Sequence, residues 1–251
     1  MRPGYDTSLA GSSPRADGSF QPTGSAAGSG GRSWGILARL PGVVLALVLL
    51  AAGLTLTTAF LRRLPADAVI AEIRSSHVPS QDDLRHAVDS ARASLAILPT
   101  PDASTDLAVI GARLPLSAGG VDAAAAVAYL RDALRQVPAD SLVWSDFTQA
   151  ELHEGALPQG VEAFKVSMLT APFRPALTWW RCSVGLRLYA YLDADTKELM
   201  ISQFRYAWAE NRWRLMGVAV AMSAVALVRQ AITPTEPHAE EFDRILANTH
   251  I

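Results

Sequence analysis

The sequence predicts an all-α protein, a short and degenerate helical solenoid with one N-terminal transmembrane helix. Three observations lead there. Leu40 to Leu61 contains no charged residue. Beyond it, apolar residues recur at three- and four-residue spacing, the period of helices with one buried face. Finally, Ala126, Leu130, Ala133 and Pro138 recur as Gly160, Phe164, Ser167 and Pro172, a period of about 34 residues.

Composition bounds the function classes. The chain has 251 residues, half of them hydrophobic, and a formal net charge of -2. That is enough to bury one core and still spare a segment for a bilayer. Arg outnumbers Lys without forming a dense basic block, so nucleic acid is not an expected partner. The abundance of Ala, Leu and Arg suits a high-GC bacterial genome. Cys182 is the single cysteine, which excludes an intramolecular disulfide framework and a Cys-based zinc site.

Residues 1–34 are a Gly/Ser-rich tail with few large apolar side chains, expected to stay disordered because ordering them gains too little burial. The anchor is placed at residues 35–63. Its charge-free run of about 22 residues makes a helix of about 33 Å, which spans a hydrocarbon core of about 30 Å. Arg39, Arg62 and Arg63 flank the run where they can snorkel to headgroups, and Trp34 lies near the interface. The run is longer than the apolar stretch of a cleaved signal peptide, and a long tail precedes it, so it reads as an uncleaved anchor. Flanking arginines are too evenly shared to fix its orientation.

The helical domain is placed at residues 64–232. Asp67 to Arg74 continues as a short connector. Ser80 caps a helix with early acids Asp82 and Asp83, whose apolar face carries Val88, Ala91, Leu95 and Leu98. Pro99 to Asp102 reads as a turn, Thr105 to Leu114 as a short helix, and Pro115 to Gly120 as a loop. Val121 to Gln136 and Ser141 to His153 are helices, joined through Pro138. Gly155 to Pro158 turns the chain into a helix from Gln159 to Leu169. Pro175 to Leu192 is an aromatic-rich helix, ended by Asp193-Ala194-Asp195. Asp195 then caps Thr196 to Asn211, with Glu198 completing a capping box. Trp213 to Val228 is expected as one long apolar helix. Only about 14 uncharged residues separate Arg214 from Arg229, too few for a second span. Residues 233–251 form an acidic tail, with a turn or two of amphipathic helix over Glu240 to Leu246.

The segment Ala126 to Pro172 resembles the tetratricopeptide family. Trp144, Gly160, Phe164 and Pro172 fall where that pattern has Trp, a small residue, a large apolar residue and a terminating proline. Thr148 and Glu151 depart from it, standing where the pattern has a small residue and Tyr. The resemblance covers about a fifth of the chain and implies stacked helix pairs that present a groove to protein partners.

No catalytic residue, cofactor site or metal site is assigned. Asp193-Ala194-Asp195 has the form of a metal-binding acidic pair but is accounted for by helix termination and capping. His153-Glu154 begins like a zinc-protease helix, but the second His is replaced by Leu157. Cys182 has no nearby His in sequence to activate it. The distinctive constellation is arginine interleaved with aromatics between Arg174 and Arg214: Arg181, Arg205, Trp208 and Arg212. The last three are spaced to share one face of a single helix and can bind an anionic ligand, a carbohydrate or an acidic peptide. The alternative is that Trp208 packs in the core under arginine stems.

These readings make the expected function a membrane-anchored scaffold or adaptor for proteins, in the bacterial inner membrane with its helices periplasmic, near polysaccharide or secretion machinery. Two rivals are a sugar- or phosphate-binding protein or enzyme using the Arg/Trp cluster, and a structural subunit of a multispan complex.

Overall fold

The structure is a computed structural model and describes residues 40–74, 77–114, 116–232 and 236–248. The expected tail 1–34, Trp34, Pro115 and Pro234 lie outside the described residues. Eleven α-helices and two short 3-10 turns, with no strand, make up the described residues, so the all-α expectation holds. The chain divides into two compact units, Met1–Leu49 and Leu50–Ile251. The described part of the first is an exposed apolar helical stretch; the second holds all remaining elements.

Helix α1 spans Leu40–Arg74 without interruption. Only 6% of an apolar 18-residue window in it is buried, so that stretch is not packed in a core. Pro65 lies inside it and removes the amide that would bond the Leu61 carbonyl, at the end of the charge-free run. From Ala59 onward one face turns inward, burying Ala66, Val69 and Ile70 against α2 and α3.

Helix α2, Gln81–Ile97, starts as expected, with Ser80 accepting from the Asp83 amide. It packs on α1 partly through hydroxyls: Ser94 Oγ donates to the Ala59 carbonyl at 3.0 Å, and Ser90 Oγ donates to that of Arg62. Helix α3, Pro101–Gly111, begins earlier than predicted. Thr100 is its N-cap and Pro101 fills the first turn, where a missing amide costs nothing; of the stretch read as a turn, Pro101 and Asp102 are helical and Pro99 stays in the link before the cap.

Helices α4 (Ala123–Gln136) and α5 (Ser141–Glu154) are capped by Asp122 and Asp140, and Gly155 closes α5 at φ +85°. Helix α6 is Leu157–Thr170; Leu157 and Pro158, expected in the turn, are its first residues. Gly160 lies against α5 so closely that a Cβ would meet the Leu152 side chain at 2.7 Å. Where the repeat pattern has Tyr, buried Glu151 instead receives Arg131 Nη2 of α4 at 3.3 Å. From α2 to α6 each helix packs chiefly on its sequence neighbours.

The second half is arranged differently. Helix α7, Pro175–Leu188, ends before Leu192, in a 3-10 turn at Tyr189–Tyr191. Helix α8, Ala194–Glu210, is touched by α7, by α9 (Arg212–Ala221) and by α10 (Val225–Ile232). Its cap is Asp193, two residues before the predicted Asp195, because the Asp193 carboxylate reaches the Thr196 amide at 2.7 Å. The predicted long helix from Trp213 to Val228 is two helices. Ser223 adopts φ +53°, and the Ser223 and Ala224 amides fold back onto the carbonyls of Val220 and Ala219. Helix α11, Glu236–Asn248, follows.

Candidate functional site

The four sequence-predicted residues occupy two separate places. Arg181, on α7, is fully buried. Its Nη1 donates to the Ala171 carbonyl at 2.7 Å and that of Pro172 at 3.3 Å, and its Nη2 donates to the Ser167 carbonyl and, at 3.3 Å, to Ser167 Oγ. Gln203 Nε2 also donates to Pro172. These are the orphan carbonyls at the end of α6, where the helix dipole favours a cation. Burial pushes the Arg181 pKa down to about 10, with Arg174 adding repulsion.

Trp208 and Arg212 come together from two successive helices, not from one as predicted, while Arg205 reaches the end of α10. Asn211 ends α8 and caps α9 through Arg214 N, so Arg212 opens the next helix. Trp208 is 4% exposed and stacks on Phe242 of α11, with ring centroids 5.7 Å apart and planes at 29°. The Arg212 guanidinium lies 5.9 Å from the Trp208 ring and pairs with Glu241. Arg205 Nε donates to the Ala231 carbonyl at 3.1 Å, capping α10. The cluster is thus a seam that receives α11. One group in it is left unsatisfied: among the described residues Trp208 Nε1 has no hydrogen-bond acceptor.

The other sequence candidates are used locally. Asp193 accepts from Lys165 Nζ at 2.6 Å, and this bond together with the Thr196 amide holds its pKa well below the carboxylate range. Burial pushes the Cys182 thiol up to about 12, so it stays protonated at neutral pH. Among the described residues no group of three His, Cys, Asp or Glu is placed to hold a metal ion.

Sequence reasoning missed a charged cluster under α1. Arg63, expected to reach the headgroups, is turned inward onto three carboxylates. Its distances are 2.8 Å to Asp67, 2.8 Å to Asp102 and 2.6 Å to Asp106. With Arg74 and Asp140 these residues line a cleft of about 350 Å³. Burial pushes Asp106 up to about 6 against the pull of Arg63. Beside the cleft, Asp146 Oδ2 has no hydrogen bond among the described residues and pairs with Arg74 Nη2 at 3.8 Å; burial pushes this carboxyl up to about 7 against the pull of Arg74 and Arg113. The available signal was Asp102 and Asp106 at i, i+4, visible only once Asp102 is known to be helical.

Comparison with known protein families and with curated proteins finds no match to this chain.

Proposed function

We propose that this protein is a membrane-anchored helical scaffold that binds other proteins. One observation carries the reading: α1 is a single helix that is charge-free and exposed along its first half and built into the helical core along its second. The exposed half suits an apolar solvent. Thr55, Thr57 and Thr58 each donate their hydroxyl to the carbonyl four residues back, at 2.9, 2.8 and 2.7 Å, so they carry no unmet polar donor into lipid. The sequential packing of α2 to α6 supports the scaffold part, because stacked helices expose an extended surface rather than an enclosed pocket. By analogy at the level of fold alone, the helical domain belongs on the periplasmic side of a bacterial inner membrane, beside envelope or polysaccharide assembly.

The full chain is expected to resist alkaline carbonate extraction from membranes, and the same chain lacking residues 40–61 to be released. Proximity labelling from tags at both termini should mark proteins of two different compartments. Detergent-solubilised pulldown should recover protein partners. A chain that washes off in carbonate, or termini that label one compartment, removes the anchor; a clean pulldown with no partner removes the scaffold.

A further inference from the structure

We infer that the face built by α8, α9 and α10 is a docking groove for an acidic amphipathic helix of a partner protein, which α11 occupies in its absence. The inference rests on the scaffold reading and names the chemistry of the partner. Helix α11 shows what the groove recognises. Phe242 is fully buried on Trp208, and Ile245, three residues on, is 6% exposed. The carboxylates on either side of Phe242 are both gripped by the groove. Glu241 pairs with Arg212, and Asp243 takes two parallel bonds from Arg229, at 2.8 Å from Nε and 2.7 Å from Nη2. Such a forked pair fixes register as well as charge. Basic groups therefore line the receiving side, while the helix presents Glu240, Glu241 and Asp243.

The fit of α11 is incomplete at one point. Among the described residues, the indole Nε1 of Trp208 sits in the seam buried and without an acceptor. A buried donor without an acceptor gives up the hydrogen bond it makes with water in the unfolded chain. A partner helix with the same aromatic-flanked-by-acids pattern that also offers an oxygen to this indole gains what α11 forgoes, and so can displace it. Exchange of a tethered helix for a free one needs this kind of margin, because the tether gives α11 a high effective concentration.

The test uses the full chain in detergent micelles and a fluorescent peptide of residues 236–248. The Asp243→Arg chain breaks a half-exposed pair on α11 and leaves every groove residue intact; the Phe242→Ala chain empties the stack. Apparent affinity scales with the fraction of molecules whose groove is open, so both chains are expected to bind the peptide about tenfold or more tighter than the unaltered chain. Adding Trp208→Ala should abolish that gain. In the Phe242→Ala chain Arg229→Asp should abolish it too, and a peptide carrying Asp243→Arg should restore it. If Phe242→Ala fails to fold, Asp243→Arg decides alone. A helical Asp243→Arg chain that binds the peptide no better than the unaltered chain makes α11 a fixed end-cap and overturns the inference. So does a variant that dimerises by exchanging α11 and is not dissociated by peptide, since the occupant is then a second copy. Either result leaves the scaffold reading standing; that reading falls only if the pulldown is empty.

Discussion

Replacing Arg181 by Met retains the side chain's bulk but strips hydrogen bonds from the carbonyls of Ser167, Ala171 and Pro172. Pro172 keeps its bond from Gln203 and Ser167 its bond from Thr170, so the loss falls chiefly on Ala171 and is expected to cost about 1–3 kcal/mol, read as a lower urea midpoint. Arg181→Lys should recover only part, since an ammonium cannot fork between three carbonyls. Asp146 should behave in the opposite sense to most carboxylates. Its pKa rises from 3.8 to about 7 on folding, so between those values the folded state holds more protons than the unfolded state, and stability falls as pH rises. The cost is absent below the unfolded value and complete above the folded one. Asp146→Asn is therefore expected to flatten the decline between pH 4 and 7 and to stabilise the chain by roughly 2–4 kcal/mol at pH 8. Urea midpoints measured across that range check it; an unchanged slope in the Asn variant removes Asp146 as the cause.

Among the elements, the join between α9 and α10 and the docking of α1 on α3 make separate predictions. Ser223 sits at φ +53°, where a Cβ is disfavoured, so Ser223→Gly should stabilise by about 1 kcal/mol and Ser223→Val should destabilise by more. Thermal melts in the same detergent distinguish the two. Arg63→Ala leaves Asp106 buried without its partner and should cost about 3 kcal/mol or more, with hydrogen exchange rising first over residues 62–74. These two features also mark where the sequence stopped being legible. Ser80, Asp122, Asp140 and Gly155 announce helix ends by local chemistry, so most boundaries could be read directly. The break at Ser223 has no Gly or Pro beside it, and tertiary contacts impose the left-handed residue. Arg63 meets Asp102 and Asp106 across a separation of about 40 residues, which no spacing rule reaches. For the Arg/Trp cluster, spacing set Arg205, Trp208 and Arg212 on one helix face, but Asn211 ends that helix before Arg212, and no spacing rule shows that α11 arrives to cover Trp208.

At the scale of the whole molecule, stacking by sequence neighbours limits how far damage spreads. Gly160→Val drives a side chain into Leu152 and should cost about 1–3 kcal/mol. Exchange protection should then fall in α5 and α6 while α8 to α11 keep theirs; uniform loss would mean that the domain unfolds as one cooperative block. The hydroxyl contacts of α2 on α1 carry a different consequence, for the bilayer. On the side facing α2, Ala59 is buried, and its carbonyl and that of Arg62 are taken by Ser94 and Ser90, so under the proposed anchoring lipid would reach only Leu40 to Thr58, about 28 Å of helix. On the opposite side Phe60 and Leu61 stay exposed, extending the greasy length to about 33 Å. A cylinder with unequal sides lowers its mismatch by leaning. The anchor is therefore expected to sit tilted even in a bilayer of matching thickness, and Ser90→Leu with Ser94→Leu should change that lean as measured by polarised infrared dichroism.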